Sequence, residues 1–100
     1  MKVELSDRAH GEMQRINASW ASWRKQADFP ELFLDELLET VELIETTGVL
    51  GAPYNVKAKH RVTRLLMEKS EYHVYLVRRS DELVVVVSIW SARRRRGPKL

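Results

Sequence analysis

The sequence predicts an α+β domain of order β-α-α-β-β-β, with a helical hairpin packed on a mainly antiparallel four-stranded sheet. Three observations carry this. A short alternating stretch, KVELS, comes first. Two amphipathic stretches with apolar steps of three and four follow. From about His60 the period changes from 3.6 to 2 and stays there to Trp90. At 100 residues, with 44% hydrophobic and 31% charged side chains, the chain fits a single soluble domain spanning residues 1–100.

In KVELS, Val3 and Leu5 alternate with polar neighbours as in a half-buried strand. Ser6-Asp7 then supplies an N-cap. Ala9, Met13, Ile16, Trp20 and Trp23 fall on one face of the helix that follows, and Arg8, Glu12, Arg15 and Lys25 fall outside it. Both tryptophans therefore read as core. The stretch ADFPELF breaks this pattern: Asp28 caps a second helix, with Pro30 in its first turn and Glu31 placed for a capping box. Phe33, Leu34, Leu37, Leu38, Val41 and Ile44 form its apolar face, while Asp35, Glu36, Glu39, Glu42 and Glu45 make the opposite face acidic. TTGVLGAPYN, with Gly48, Gly51 and Pro53, reads as a loop. RVTRLLM, YHVYLVRR and LVVVVSIW read as three strands joined by the turns EKSE and SDE, an antiparallel meander. The last is apolar on both faces, so it should be the central or best-covered strand.

The formal charge of +3 conceals a division. Residues 1–56 hold five Lys/Arg against ten Asp/Glu, and residues 57–100 hold twelve against four. A basic half of that size suits an anionic partner. There is no cysteine, hence no disulfide framework or thiolate metal site. The longest apolar run, Leu83–Val87, is far short of the roughly 20 residues a bilayer requires. The first ten residues have no signal-peptide core, so a cytoplasmic location is expected. No phosphate-binding glycine loop, metal-ligand spacing or nucleophile elbow occurs, and neither cofactor nor metal is expected. His10, His60 and His73 lie in different elements with no acidic partner at an interpretable spacing.

The order of elements, together with Gly-x-Pro-Tyr at 51–54, Tyr-His-Val-Tyr at 72–75 and Trp-x-x-Arg-Arg at 90–94, resembles the RelE/ParE superfamily of type II toxin–antitoxin toxins over nearly the whole chain. The resemblance implies one of two activities. RelE-like toxins cleave mRNA on the ribosome without a metal, a reaction that needs a base, cations around the phosphate and a proton donor. The positions that match that site hold Arg64, His73, Arg93 and Arg94, but its second basic residue on the first meander strand is Leu66 here. A histidine used by other nuclease branches is replaced by Ser91, and no tyrosine follows the arginines. ParE-like toxins instead bind and poison DNA gyrase. The sequence sits closer to this branch and implies a binding protein rather than an enzyme, in a plasmid stabilisation-like system. The mRNA endonuclease with a reduced site is the alternative.

For target binding the sequence nominates Arg93 and Arg94, together with Lys57, Lys59, Arg61 and Arg64. These would make one positive face if the first and last strands of the meander share a rim. Arg93–Arg96 can be read as a solvated tail. At about 3.3 Å per residue, however, Arg93 lies only roughly 10 Å from Trp90, so the first arginines should be held near the sheet. The resemblance also implies an antitoxin partner. Its C-terminal segment would place a helix on the apolar hairpin face and an extended piece against the sheet, its acidic residues neutralising the basic half.

Overall fold

The computed structural model describes residues 1–21, 29–55 and 61–100, in the order β1 (Lys2–Leu5), α1 (Asp7–Ala21), α2 (Phe29–Thr47), β2 (Ala52–Asn55), β3 (Val62–Met67), β4 (Tyr72–Arg78) and β5 (Leu83–Ser91). Asp28, Trp23, Lys25, Lys57, Lys59 and His60, named above, lie outside the described residues. One sheet runs β1-β5-β4-β3-β2. β1 lies parallel to β5, and every other pairing is antiparallel. None of the described helices is long and apolar enough to cross a membrane.

The sheet has five strands rather than four. The segment expected to be a loop contains β2, whose Ala52 pairs with Arg64 and whose Pro53 pairs with Thr63. A proline is admissible there because β2 is an edge strand with a register shift between Pro53 and Asn55. Gly51 makes the approach possible. It sits at φ 77°, and a Cβ there would stand 2.1 Å from the Arg64 carbonyl oxygen. β5 is not the central strand but is flanked by β1 and β4, and β4 occupies the middle.

The helices cover one face of the sheet. Phe33, Leu37 and Ile44 of α2 join Ala9 of α1, Val74 and Leu76 of β4, and Val84, Val86 and Ile89 of β5 in the main core. The Tyr72 ring meets Phe33 edge-on at 5.3 Å, and its hydroxyl oxygen accepts the Trp20 indole N–H at 3.1 Å, which ties the end of α1 to β4. Strict alternation along β5 would put Ile89 on the face opposite Val84 and Val86. A bulge at Val87, where the β4 pairing steps from Val86 to Ser88, resets the alternation. Ile89 thereby returns to the core, and Trp90 turns to the far face.

Two carboxylates placed by periodicity on solvent faces are in fact buried, at 7% exposure each. β1 pairs with β5 only as far as Val86, so the outer edge of β5 is open beyond that point. Glu12 closes it by accepting from the Ile89 amide at 3.1 Å and the Ser88 hydroxyl at 2.9 Å, with Arg8 Nε 3.6 Å away. Glu36 reaches the β3–β4 turn and accepts from the Lys69 amide at 2.7 Å, the Ser70 amide at 2.7 Å and the Ser70 hydroxyl at 2.6 Å. Period reading assigns charge to the surface, whereas these two side chains satisfy backbone donors that would otherwise be buried unpaired. Replacing Glu36 by Ala should cost about 3 kcal/mol, since it strands two amides and a hydroxyl bonded to a charged group. Urea unfolding should show that loss for Glu36→Ala and less than about 0.5 kcal/mol for the exposed Glu39→Ala. Equal effects would contradict this role.

Candidate functional site: the sheet face opposite the helices

The strands of the meander present a second face with a different composition. On β4, His73 and Tyr75 alternate with the core residues Val74 and Leu76. The register places His73 between Leu66 of β3 and Trp90 of β5, and Tyr75 between Arg64 and Ser88. Tyr54 reaches in from β2 and meets the Tyr75 ring at 4.6 Å with planes at 72°. The Arg64 guanidinium carbon stands 5.3 Å from the Tyr54 ring centre. Val62, Tyr75 and Val77 form a small core on this side, with Tyr54, Val87 and Trp90 packed around it.

The C-terminal segment doubles back over this face. The Ala92 amide donates to the Glu71 carbonyl at 2.8 Å, fixing the departure of the chain from β5. Arg93 turns outward and pairs with the Glu71 carboxylate at 2.5 Å. Arg94 turns inward over the Trp90 ring, its guanidinium carbon 4.4 Å from the ring centre. The Trp90 indole N–H donates to the Arg96 carbonyl at 2.8 Å. Gly97 then passes so close to Tyr54 that a Cβ would lie 1.8 Å from the phenol oxygen. Pro98 is buried, and the Lys99 carbonyl accepts from Arg8 at 2.6 Å. The arginine run is therefore a strap bound at both ends, and Arg95 and Arg96 are held in it, side chains outward, rather than trailing free.

Electrostatically the face is cationic and aromatic. Burial of His73 and, second, the nearby Arg64 charge hold the imidazole below its ordinary pKa of 6.5. Burial pushes the Tyr75 phenol up, and a hydrogen bond to Arg64 opposes that only in part. Glu71, paired with Arg93, supplies a carboxylate at the rim, and among the described residues no three His, Cys, Asp or Glu side chains converge as metal ligands would. The arrangement can hold an anion and stack on flat groups.

Of the residues nominated from sequence, Arg64 and His73 share this face, while Arg94 lies on Trp90 and also borders a groove lined by Glu12, Arg15 and Trp20 of α1. Arg93 sits at the rim of the face, partnered by Glu71. Arg61 is elsewhere: it lines a groove with Thr63, Leu76, Arg78 and Arg79 at the opposite end of the sheet. Lys57 and Lys59 lie outside the described residues. Sequence reasoning passed over Tyr54 and Tyr75, the aromatic neighbours of Arg64. Strand alternation from His73 points to Tyr75, while Tyr54 was hidden by reading its strand as a loop.

Two measurements test this geometry. Gly97→Ala should lift the strap, lowering stability by about 1–3 kcal/mol as a forced overpacking does and raising hydrogen exchange of the Ala92–Lys99 amides. Unchanged exchange there would remove the strap from the description. For His73, the unfolded chain takes up its proton near pH 6.5 and the folded chain only at lower pH. Stability should therefore fall as pH drops below about 6.5, and His73→Gln should flatten that part of the urea-midpoint profile.

No family model matches this sequence, and no curated protein matches it. Solved structures do. A chain of the chromosomal ParDE toxin–antitoxin system from P. aeruginosa superposes with a TM-score of 0.72, over 93% of this chain and 97% of that one, at 12% sequence identity. At that identity it is the fold that is shared, and the fold is the ParE-like one that the sequence motifs imply.

Proposed function

We propose that this chain is the toxin of a type II toxin–antitoxin pair and acts by binding, with DNA gyrase as its target. The observation that carries the reading is the C-terminal strap. In a fold shared almost end to end with a ParDE chain, it holds Arg94 on Trp90, a ring that packs with the small core beside Arg64. A guanidinium immobilised on an aromatic ring loses less conformational freedom when it contacts phosphate than a mobile one does. Gyrase bound to DNA offers such an anionic surface. Target binding is thus assigned to Arg64 and Arg94, with Arg93 available once Glu71 releases it. Surface ion pairs of that kind are worth about 0.2–1 kcal/mol, so release is inexpensive.

The antitoxin in this reading covers the toxin with an acidic C-terminal segment. Leu38 and Leu43 of α2 are 67% and 45% exposed, apolar points on the outer surface of the helix that a partner segment can cover. A toxin–antitoxin complex that left Arg93 and Arg94 open to solvent would count against this part.

The alternative, a ribosome-dependent mRNA endonuclease, has one observation in its favour: Arg64, His73 and Tyr75 lie side by side on one face. New 5′ ends in cellular mRNA after induction would select it.

Purified protein should inhibit supercoiling by gyrase and accumulate cleaved gyrase–DNA complexes. Arg94→Gln should weaken that inhibition about tenfold and reduce its salt dependence by about one phosphate contact. Normal supercoiling in the presence of excess protein rejects the gyrase reading.

A further inference from the structure

The groove at the other end of the sheet has a charge arrangement that the reading above does not use. Arg61 and Arg78 stand one step beyond the register pair Val62–Val77. Two cations therefore occupy facing positions on neighbouring strands, which costs stability unless something negative lies between them. Arg79 follows on the turn toward β5. All three line a groove of about 590 Å³, with Thr63, Leu76 and Asp81. Asp81 is the local counter-charge. It lies 3.4 Å from Arg78 and is fully exposed, where such a pair contributes little. Arg61 and Arg79 form no ion pair among the described residues. The Thr63 hydroxyl oxygen is buried and has no hydrogen-bond partner among them either. A hydroxyl in that state is costly unless a ligand completes it.

We propose that this groove binds a phosphate group. Arg61, Arg78 and Arg79 would grip its oxygens from two strands and a turn, and the Thr63 hydroxyl would donate a further bond. Three guanidinium forks offer more donors than the roughly four acceptor positions of one carboxylate can use, and a phosphate monoester with three terminal oxygens accepts more of them. Leu50, Pro53 and Leu76 form an apolar wall that keeps water from one side of these contacts. Arg78 is five residues along β4 from His73, about 17 Å, so this site is separate from the Trp90–Arg94 face and does not depend on the gyrase reading. The phosphate can belong to a small phosphate ester or to a nucleic-acid backbone.

The test is a titration of the full chain with orthophosphate at constant ionic strength, followed by NMR of arginine Nε–H groups and the Thr63 amide. Saturable shifts confined to this groove are expected. Arg79→Gln should weaken binding about tenfold, Asp81→Asn should tighten it about threefold, and the control Arg15→Gln should do neither. Thr63→Val gives a second, uncharged probe and should weaken binding without altering net charge. A short single-stranded oligonucleotide that competes for the groove identifies backbone phosphate. Failure to compete, with orthophosphate still bound, identifies a small phosphate ester. Both results support the site. Shifts that never saturate, or binding unchanged in Arg79→Gln, overturn it. So does a glutamate-rich peptide that displaces phosphate and binds more tightly, which would make the groove a seat for an acidic protein segment.

Discussion

The carboxylate of Glu36 governs how the helices and the cationic face are joined. It rises from α2, accepts three hydrogen bonds at 2.6–2.7 Å from residues 69 and 70, and so fixes the β3–β4 turn against the helix. The next residue, Glu71, has a left-handed backbone with φ 61°, a conformation that costs a side-chain-bearing residue about 1–2 kcal/mol. The Glu71 amide is bonded to the Met67 carbonyl, its carbonyl to the Ala92 amide, and its carboxylate to Arg93. One buried acid on a helix thus sets the direction in which the C-terminal segment leaves the sheet. The contacts of Arg94 and Gly97 lie along that direction, whereas the orientation of Trp90 is set by the bulge at Val87.

The two faces of the sheet are stabilised by different physics. On the helix side, close-packed aliphatic side chains and Phe33 exclude water completely. On the other side, short-range aromatic contacts and one glycine hold a charged strap. Ion pairing contributes little there: Arg93 and Glu71 are 77% and 51% exposed, and salt screens such a pair. The Arg94–Trp90 contact, the indole bond to Arg96 and the fit of Gly97 under Tyr54 are less sensitive to ionic strength. The strap should therefore keep its shape in salt concentrations that weaken its attraction for an anionic partner. Shape and affinity are in that sense separable in this protein.

Much of the architecture was legible because it rests on period and punctuation. Both helices, the three-strand meander and the charge division follow from residue spacing and count. The unreadable parts are those that depend on residues distant in sequence. β2 is four residues long with a proline, and it exists only because Gly51 lets the chain approach Arg64. Glu12 and Glu36 sit in polar positions of their helices, and nothing local shows that Ile89 and Ser70 need their oxygens. The separation of Arg61 from Arg64, by contrast, was within reach, because residues three apart on a strand point to opposite faces.

By itself the sequence determined the two helices, the first strand and the three-strand meander, that the second half is basic, and that the whole resembles the RelE/ParE superfamily. Those properties are encoded in neighbouring residues, within a turn or two of one another. Tertiary structure decided which way Trp90 points, since a bulge at Val87 reverses the alternation that would otherwise send it toward the helices. It also decided that the arginine run is bound rather than frayed. That depends on an indole N–H of β5, a phenol of β2 and a glycine of the segment after β5, and no local pattern records such a meeting.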